Sequence, residues 1–97
     1  MAKFALYVPL KPKAGKAGDV EAFLKQGAQM ALKEKGTVSW YALKEEDGKY
    51  SVFDTFDDEA GRDAHLNGDI AKALVSKWSD LFEGELHISK IGILAEK

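Results

Sequence analysis

The chain has no cysteine, no excess of either charge and no long apolar run. Without cysteine there are no disulfides, no thiolate metal sites and no Cys nucleophile. Lys plus Arg number 14 and Asp plus Glu 16, a net charge of −2. A nucleic-acid binder carries a basic excess or stripe, so no nucleic-acid partner is expected. The only basic cluster, Lys11, Lys13 and Lys16, reads as a solvated loop. No segment approaches membrane-spanning length, and Met1-Ala2-Lys3-Phe4 lacks the apolar stretch of a signal peptide, so no membrane partner and a cytoplasmic location are expected. His65 and His87 have no metal-ligand spacing, and neither GxGxxG, a P-loop nor a GxSxG elbow occurs. The expectation is a protein with no metal and no organic cofactor.

What is present is ordinary for a globular domain: 97 residues, 45% apolar and 31% charged. One domain spanning 1–97 follows from that length. Phe4, Leu6 and Val8 share one face of a first strand whose end is bracketed by Pro9 and Pro12. Val20, Phe23, Leu24, Ala28 and Ala31 recur at helical spacing, with Asp19 as N-cap and Gly36 as stop, predicting a helix over about 19–35. Two β-rich runs, 37–44 and 49–56, flank Asp47-Gly48, a hairpin signal. A two-residue Asp47-Gly48 loop, or a four-residue one, pairs Leu43 with Val52 and Tyr41 with Asp54. That register puts Ser39, Tyr41, Leu43, Val52, Asp54 and Phe56 on one face, and Val38, Trp40, Ala42, Phe53 and Thr55 on the other.

Both faces carry large apolar groups, so both need cover. Helices serve one, and a second copy of the chain is the natural cover for the other. Asp57-Asp58-Glu59 reads as the capped start of a short helix to about Leu66, not as a metal site. Ile70, Leu74, Trp78, Leu81 and Phe82 form the apolar stripe of the next helix, ended by Gly84. A last strand covers 85–95 with a bulge at Gly92. The order is β-α-β-β-α-β, an α+β, ferredoxin-like arrangement.

Few residues can carry chemistry. His65 is the default general base, because only His titrates near neutrality unaided. The competing reading is a histidine that merely offsets the helix C-terminal dipole. Asp54 sits inside an apolar strand, where a carboxylate is costly to bury unpaired. It reads either as a pocket acid or an anchor for a base, or else as a structural residue that caps the helix beginning at Asp57 or pairs with Arg62. Tyr7, Trp40, Tyr41, Phe53, Phe56 and Trp78 are aromatics of which most are core and at least one lines a pocket.

The run Asp54-Thr55-Phe56-Asp57-Asp58-Glu59-Ala60, followed by Asp63-Ala64-His65-Leu66, resembles the antibiotic biosynthesis monooxygenase family, small dimeric α+β barrel proteins that include quinol monooxygenases. Loop 13–18, the Gly36-Thr37 step into an aromatic strand and the closing Ile93-Leu94-Ala95-Glu96-Lys97 also look typical of it. The resemblance implies a homodimer whose sheets pair into a barrel, with a small-aromatic-substrate pocket between each sheet and its helices. It implies that Asp54, Phe56 and His65 occupy the family's acid, aromatic and histidine positions, Asp54 standing for the commoner Glu and Phe56 for the commoner Trp. On that reading Asp54 and His65 are catalytic, and Tyr41, Phe56, Trp78 and Tyr7 bind substrate. Some members of the family oxygenate anthrones or quinols without a cofactor. The haem-degrading relatives use an Asn on a strand, whereas the only Asn here, Asn67, lies in a turn. The leading expectation is a cofactor-independent monooxygenase of a hydroquinone or anthrone. The alternatives are a non-catalytic ligand-binding or stress-response dimer and an interaction module without a pocket.

Overall fold

A computed structural model describes residues 1–97. Its elements are β1 (Phe4–Leu10), α1 (Ala17–Ala31), β2 (Thr37–Lys44), β3 (Tyr50–Phe56), α2 (Glu59–Leu66), α3 (Asp69–Leu81) and β4 (Ser89–Gly92). The strands form one antiparallel sheet in the order β2-β3-β1-β4, the α+β arrangement expected from the element order. No helix is long and apolar enough to cross a membrane.

One face of the sheet carries the helices. There Leu6, Val8 and Leu10 of β1 stand opposite Asp54, Val52 and Tyr50 of β3. Val20 and Leu24 from α1, with Leu81 and Phe82 from the end of α3, close the core over Val8, Leu10, Tyr50 and Val52. Phe82 is 1% exposed, stacked on Trp78 and edge-on to Phe23. Backbone bonds from Lys13 N–H to the Leu81 carbonyl and from Glu83 N–H to the Lys11 carbonyl tie the loop after β1 to this end of α3.

The hairpin differs from its expected register by one residue. Asp47 and Gly48 are both left-handed, φ 61° and 72°, as a tight primed turn requires. Next to the turn, however, Lys49 accepts from Glu45 N–H at 2.8 Å and donates to the Glu46 carbonyl at 3.4 Å. Two residues thus oppose one, a bulge that shifts everything beyond it. The observed pairs are Lys44 with Tyr50, Ala42 with Val52, Tyr41 with Phe53 and Trp40 with Asp54. Because side chains alternate, one slip exchanges the faces of β2. Trp40 and Ala42 face the helices; Ser39, Tyr41 and Leu43 face away. The expected placement of Tyr41 beside Asp54, and of Trp40 and Ala42 on the face opposite Asp54, is corrected accordingly.

Other boundaries also move. Asp19 lies in the first turn of α1 and not at its N-cap, and α1 stops at Ala31, four residues short of the expected end. Asp58 does cap α2, its Oδ1 accepting from Gly61 N–H at 2.7 Å. In the α3 stripe Ile70, Leu81 and Phe82 are buried, whereas Leu74 and Trp78 are only partly so. β4 is shorter than expected, and Gly92 pairs regularly with Phe4 with no bulge.

Candidate active site

Between the sheet and the helices lies a cavity of about 330 Å³. Its walls are mostly apolar, with Leu6, Val52, Met30, Ile70 and Leu74 among them, and Trp40 and the polar pair Asp54 and His65 complete the lining. Trp40 reaches from β2 to α1, and glycine at position 27 makes room for it: a Cβ there would stand 3.2 Å from the indole ring.

Asp54 is held by the centre of the sheet, where β3 is paired on both sides, and is 1% exposed. His65 comes from the last turn of α2, which the Asp58 cap starts just after β3 and which folds back over the same face. A separation of about two helical turns, near 5.4 Å each, brings the ring over Asp54. The His65 Nε2 to Asp54 Oδ2 distance is 3.0 Å. Phe56, fully buried, backs the imidazole at 5.5 Å between ring centres.

A third group completes the arrangement. Glu34 Oε1 lies 2.6 Å from His65 Nδ1 and also accepts from the Thr37 hydroxyl at 2.8 Å. Both ring nitrogens therefore face carboxylates, and a ring that donates to both must carry both protons. Neither nitrogen is left without a carboxylate partner, so the expectation that one of them stays free to take a substrate proton is corrected: Nδ1 is engaged by Glu34 and Nε2 by Asp54. Burial alone would lower the proton affinity of His65, but hydrogen bonds and charge from Asp54 and Glu34 outweigh it and raise the pKa above the ordinary 6.5. Asp54 keeps one resource in reserve, since its Oδ1 is buried without a hydrogen-bond partner. The Trp40 indole N–H, from the position paired with Asp54, is likewise buried and unpartnered.

Glu34 gave no sequence signal as a site residue because it falls within the helix expected to run to 35. The helix instead ends at Ala31, where the Lys33 and Glu34 N–H groups bond back three residues to the Met30 and Ala31 carbonyls. Beyond it the chain turns, and Gly36 meets Gly61 of α2 backbone to backbone. A Cβ at Gly61 would stand 2.8 Å from the Gly36 carbonyl oxygen, and one at Gly36 2.9 Å from the Gly61 Cα. Only two glycines permit this approach.

The four residues expected to bind substrate lie elsewhere. Phe56 supports His65 from behind and does not line the cavity. Tyr7 is on the opposite face of the sheet, opposite Phe53, with its hydroxyl donating to Glu45 at 3.0 Å. Tyr41 is on that same outer face and 55% exposed. Trp78 stacks on Phe82 outside the cavity, and its indole N–H donates to the Gly84 carbonyl at 2.8 Å. Trp40 and Phe23 are the cavity aromatics.

A raised His65 pKa has a thermodynamic consequence. The folded state binds the proton more tightly than the unfolded chain, so its stabilising effect is complete below about pH 6.5 and is lost as pH rises through the higher folded-state midpoint. Each unit of elevation is worth about 1.4 kcal/mol. Urea unfolding followed from pH 6 to 9 is expected to show falling stability on the alkaline side, and His65→Gln is expected to flatten that slope. An equal slope in both proteins would place the charge elsewhere.

Over its whole length the chain is similar to NE2512, a protein of unknown function from Nitrosomonas europaea, with 43% identity, 94% of that chain covered and a TM-score of 0.95. Lower in identity are Rv0793 from Mycobacterium tuberculosis, at 16% with 98% of each chain covered and a TM-score of 0.86, and a candidate antibiotic biosynthesis monooxygenase from Caulobacter crescentus, at 18% with 97% of this chain and 92% of that one covered and a TM-score of 0.83. No family model matches the sequence, and no curated protein matches it significantly. The 43% identity over the full chain is kinship, while the lower identities speak for architecture: the chain belongs to the family of the Nitrosomonas protein, and its fold is that of the antibiotic biosynthesis monooxygenases.

Proposed function

We propose that this protein is a cytoplasmic, homodimeric monooxygenase that oxidises a small aromatic hydroquinone or anthrone with molecular oxygen and no cofactor. The observation that carries the reading is the triad at the cavity: His65 and Asp54 stand in its wall with Glu34 behind the imidazole, so that a buried ring is bonded at both nitrogens by carboxylates, one of which, Asp54, retains an unpartnered oxygen. Such a site suits a substrate that becomes electron-rich on losing a proton. Asp54 takes that proton at Oδ1, acting as the general base. The His65 cation, already oriented, stabilises the resulting aryl oxide or enolate in a water-poor pocket. The substrate anion then reduces oxygen itself. For an anthrone methylene the balance is CH2 + O2 → C=O + H2O, one oxygen atom entering the new carbonyl and the other leaving as water. The proton held by Asp54 returns to the peroxide intermediate, so no external reductant is needed. The cavity volume of about 330 Å³ is at the lower end of small-molecule sites.

The test is oxygen consumption. A panel of hydroquinones and anthrones, given to the purified protein in an oxygen electrode, is expected to yield uptake above the spontaneous rate for at least one member, undiminished by chelators. Calorimetric binding without any uptake across the panel would replace this reading with that of a ligand-binding protein.

The dimer is part of the proposal because the outer face of the sheet has no helix over it. Tyr41 and Leu43 of β2 and Ile91 of β4 lie on that face at 55%, 40% and 37% exposure, alongside Phe53. An apolar face of this kind is normally covered. Light scattering at micromolar concentration is expected to give about twice the 10.6 kDa chain mass. A monomer would leave that face uncovered and overturn the assembly.

A further inference from the structure

We infer that Glu34 is a positioning residue of this site: by holding the Nδ1 edge of the His65 ring it keeps Nε2 against Asp54. The inference rests on the functional reading above for its catalytic meaning, but not for its geometry. Glu34 does not line the inner cavity. It lies behind the imidazole, in the wall of a second, outer cavity of about 560 Å³ that Lys33, Lys35 and Asp69 also border. Asp54 from β3 and Glu34 from the turn after α1 are the charged groups in contact with the ring, one on each nitrogen.

The local structure is arranged around this reach. The contact of Gly36 with Gly61 draws the turn after α1 onto α2, one turn before His65. A third glycine, Gly68, opens space for the other carboxylate oxygen, since a Cβ there would stand 3.2 Å from Glu34 Oε2. The Thr37 hydroxyl then fixes Oε1, the oxygen that meets His65. A carboxylate that merely tied the turn to α2 could bond a backbone N–H. This one is aimed at the ring nitrogen remote from the cavity, the one group through which the ring's tautomer and rotation can be set.

The experiment compares Glu34→Gln and Glu34→Ala by imidazole NMR over a pH series in isotopically labelled, substrate-free protein. Gln keeps an acceptor for Nδ1–H and removes the charge, so the titration midpoint of His65 is expected to fall while both nitrogens keep their protonated signatures at low pH. Ala removes the acceptor as well, so the midpoint is expected to fall and the Nε2 signal to lose the signature of its bond to Asp54. In parallel, on a hydroquinone or anthrone that the unmodified protein oxidises, Glu34→Gln is expected to lower kcat with KM little changed and to shift the pH profile in the same direction as the NMR midpoint. An unchanged midpoint and unchanged nitrogen shifts in Glu34→Ala would overturn the inference, and if that variant fails to fold an unchanged midpoint in Glu34→Gln does so alone. A moved midpoint with unchanged kcat would also overturn it, leaving Glu34 a structural tie. Should no compound of the panel be oxidised by the unmodified protein, the functional reading fails while the NMR result still decides what Glu34 does to His65.

Discussion

Asp54→Asn is expected to lower oxygen turnover by about 10²–10⁴, the usual contribution of a positioned proton acceptor, with the circular dichroism spectrum intact. The substitution is nearly isosteric, so it leaves the cavity wall in place. It removes the anion from the oxygen that has no partner in the fold, the one assigned to the substrate proton. It also withdraws one of the two carboxylates that sustain the His65 charge, so His65 is expected to titrate at lower pH in the variant. The two losses concern one unit, and Asp54→Asn added to His65→Gln is expected to cost little beyond the larger single effect. Retained turnover in Asp54→Asn would remove the base from this residue and with it the proposed chemistry.

Phe82→Ala is expected to destabilise the fold by about 3–5 kcal/mol, the cost of emptying a buried aromatic site. The residue is 1% exposed and belongs to the cluster that joins β1, α1, β3 and the end of α3. Its ring stacks on Trp78 at 4.7 Å and meets Phe23 edge-on at 6.5 Å, so neither neighbour can close the void without abandoning its own contacts. Its backbone is bridged to Pro12, which limits collapse of the chain around the gap. For a domain of this length each kcal/mol corresponds to roughly 4–8 °C in Tm, so thermal unfolding by circular dichroism reads the effect directly. A Tm within a few degrees of the parent would show that the cluster around Phe82 is a loose packing and not a core.

The elements and their order were legible in the sequence because apolar periodicity and turn residues state them locally: Val20, Leu24 and Ala31 at helical spacing, Asp47-Gly48 between two β-rich runs, Asp58 before α2. The meeting of Asp54 with His65 could be anticipated from a strand carboxylate followed by a helix that must fold back over the same face. What could not be read was anything that hung on parity. A bulge beside the hairpin turn costs one residue of register, and nothing in Glu45-Glu46 distinguishes a paired residue from an inserted one. Tyr41 and Trp40 traded faces on that single step. Glu34 was invisible for a different reason. Its role depends on where α1 stops and on a backbone approach between Gly36 and Gly61, and such long-range contacts leave no periodic trace.

The position of β1 in the sheet shapes how the protein must come into being. Leu10 meets Tyr50 and Phe4 meets Phe56 on one edge, while Phe4 meets Gly92 on the other. A ribosome therefore releases the central strand long before either of its neighbours exists. Until β3 emerges, Leu6, Val8 and Leu10 travel on the nascent chain as an unpaired apolar strand, a form open to wrong pairing. The α1 helix can form early, but it has no completed sheet on which to rest. Assembly of the sheet is thus a late event dominated by distant pairings, which slows folding relative to a helical bundle of equal length. Asp54, lodged where β3 joins both β1 and β2, is buried by that same late step, so the site and the sheet are completed together.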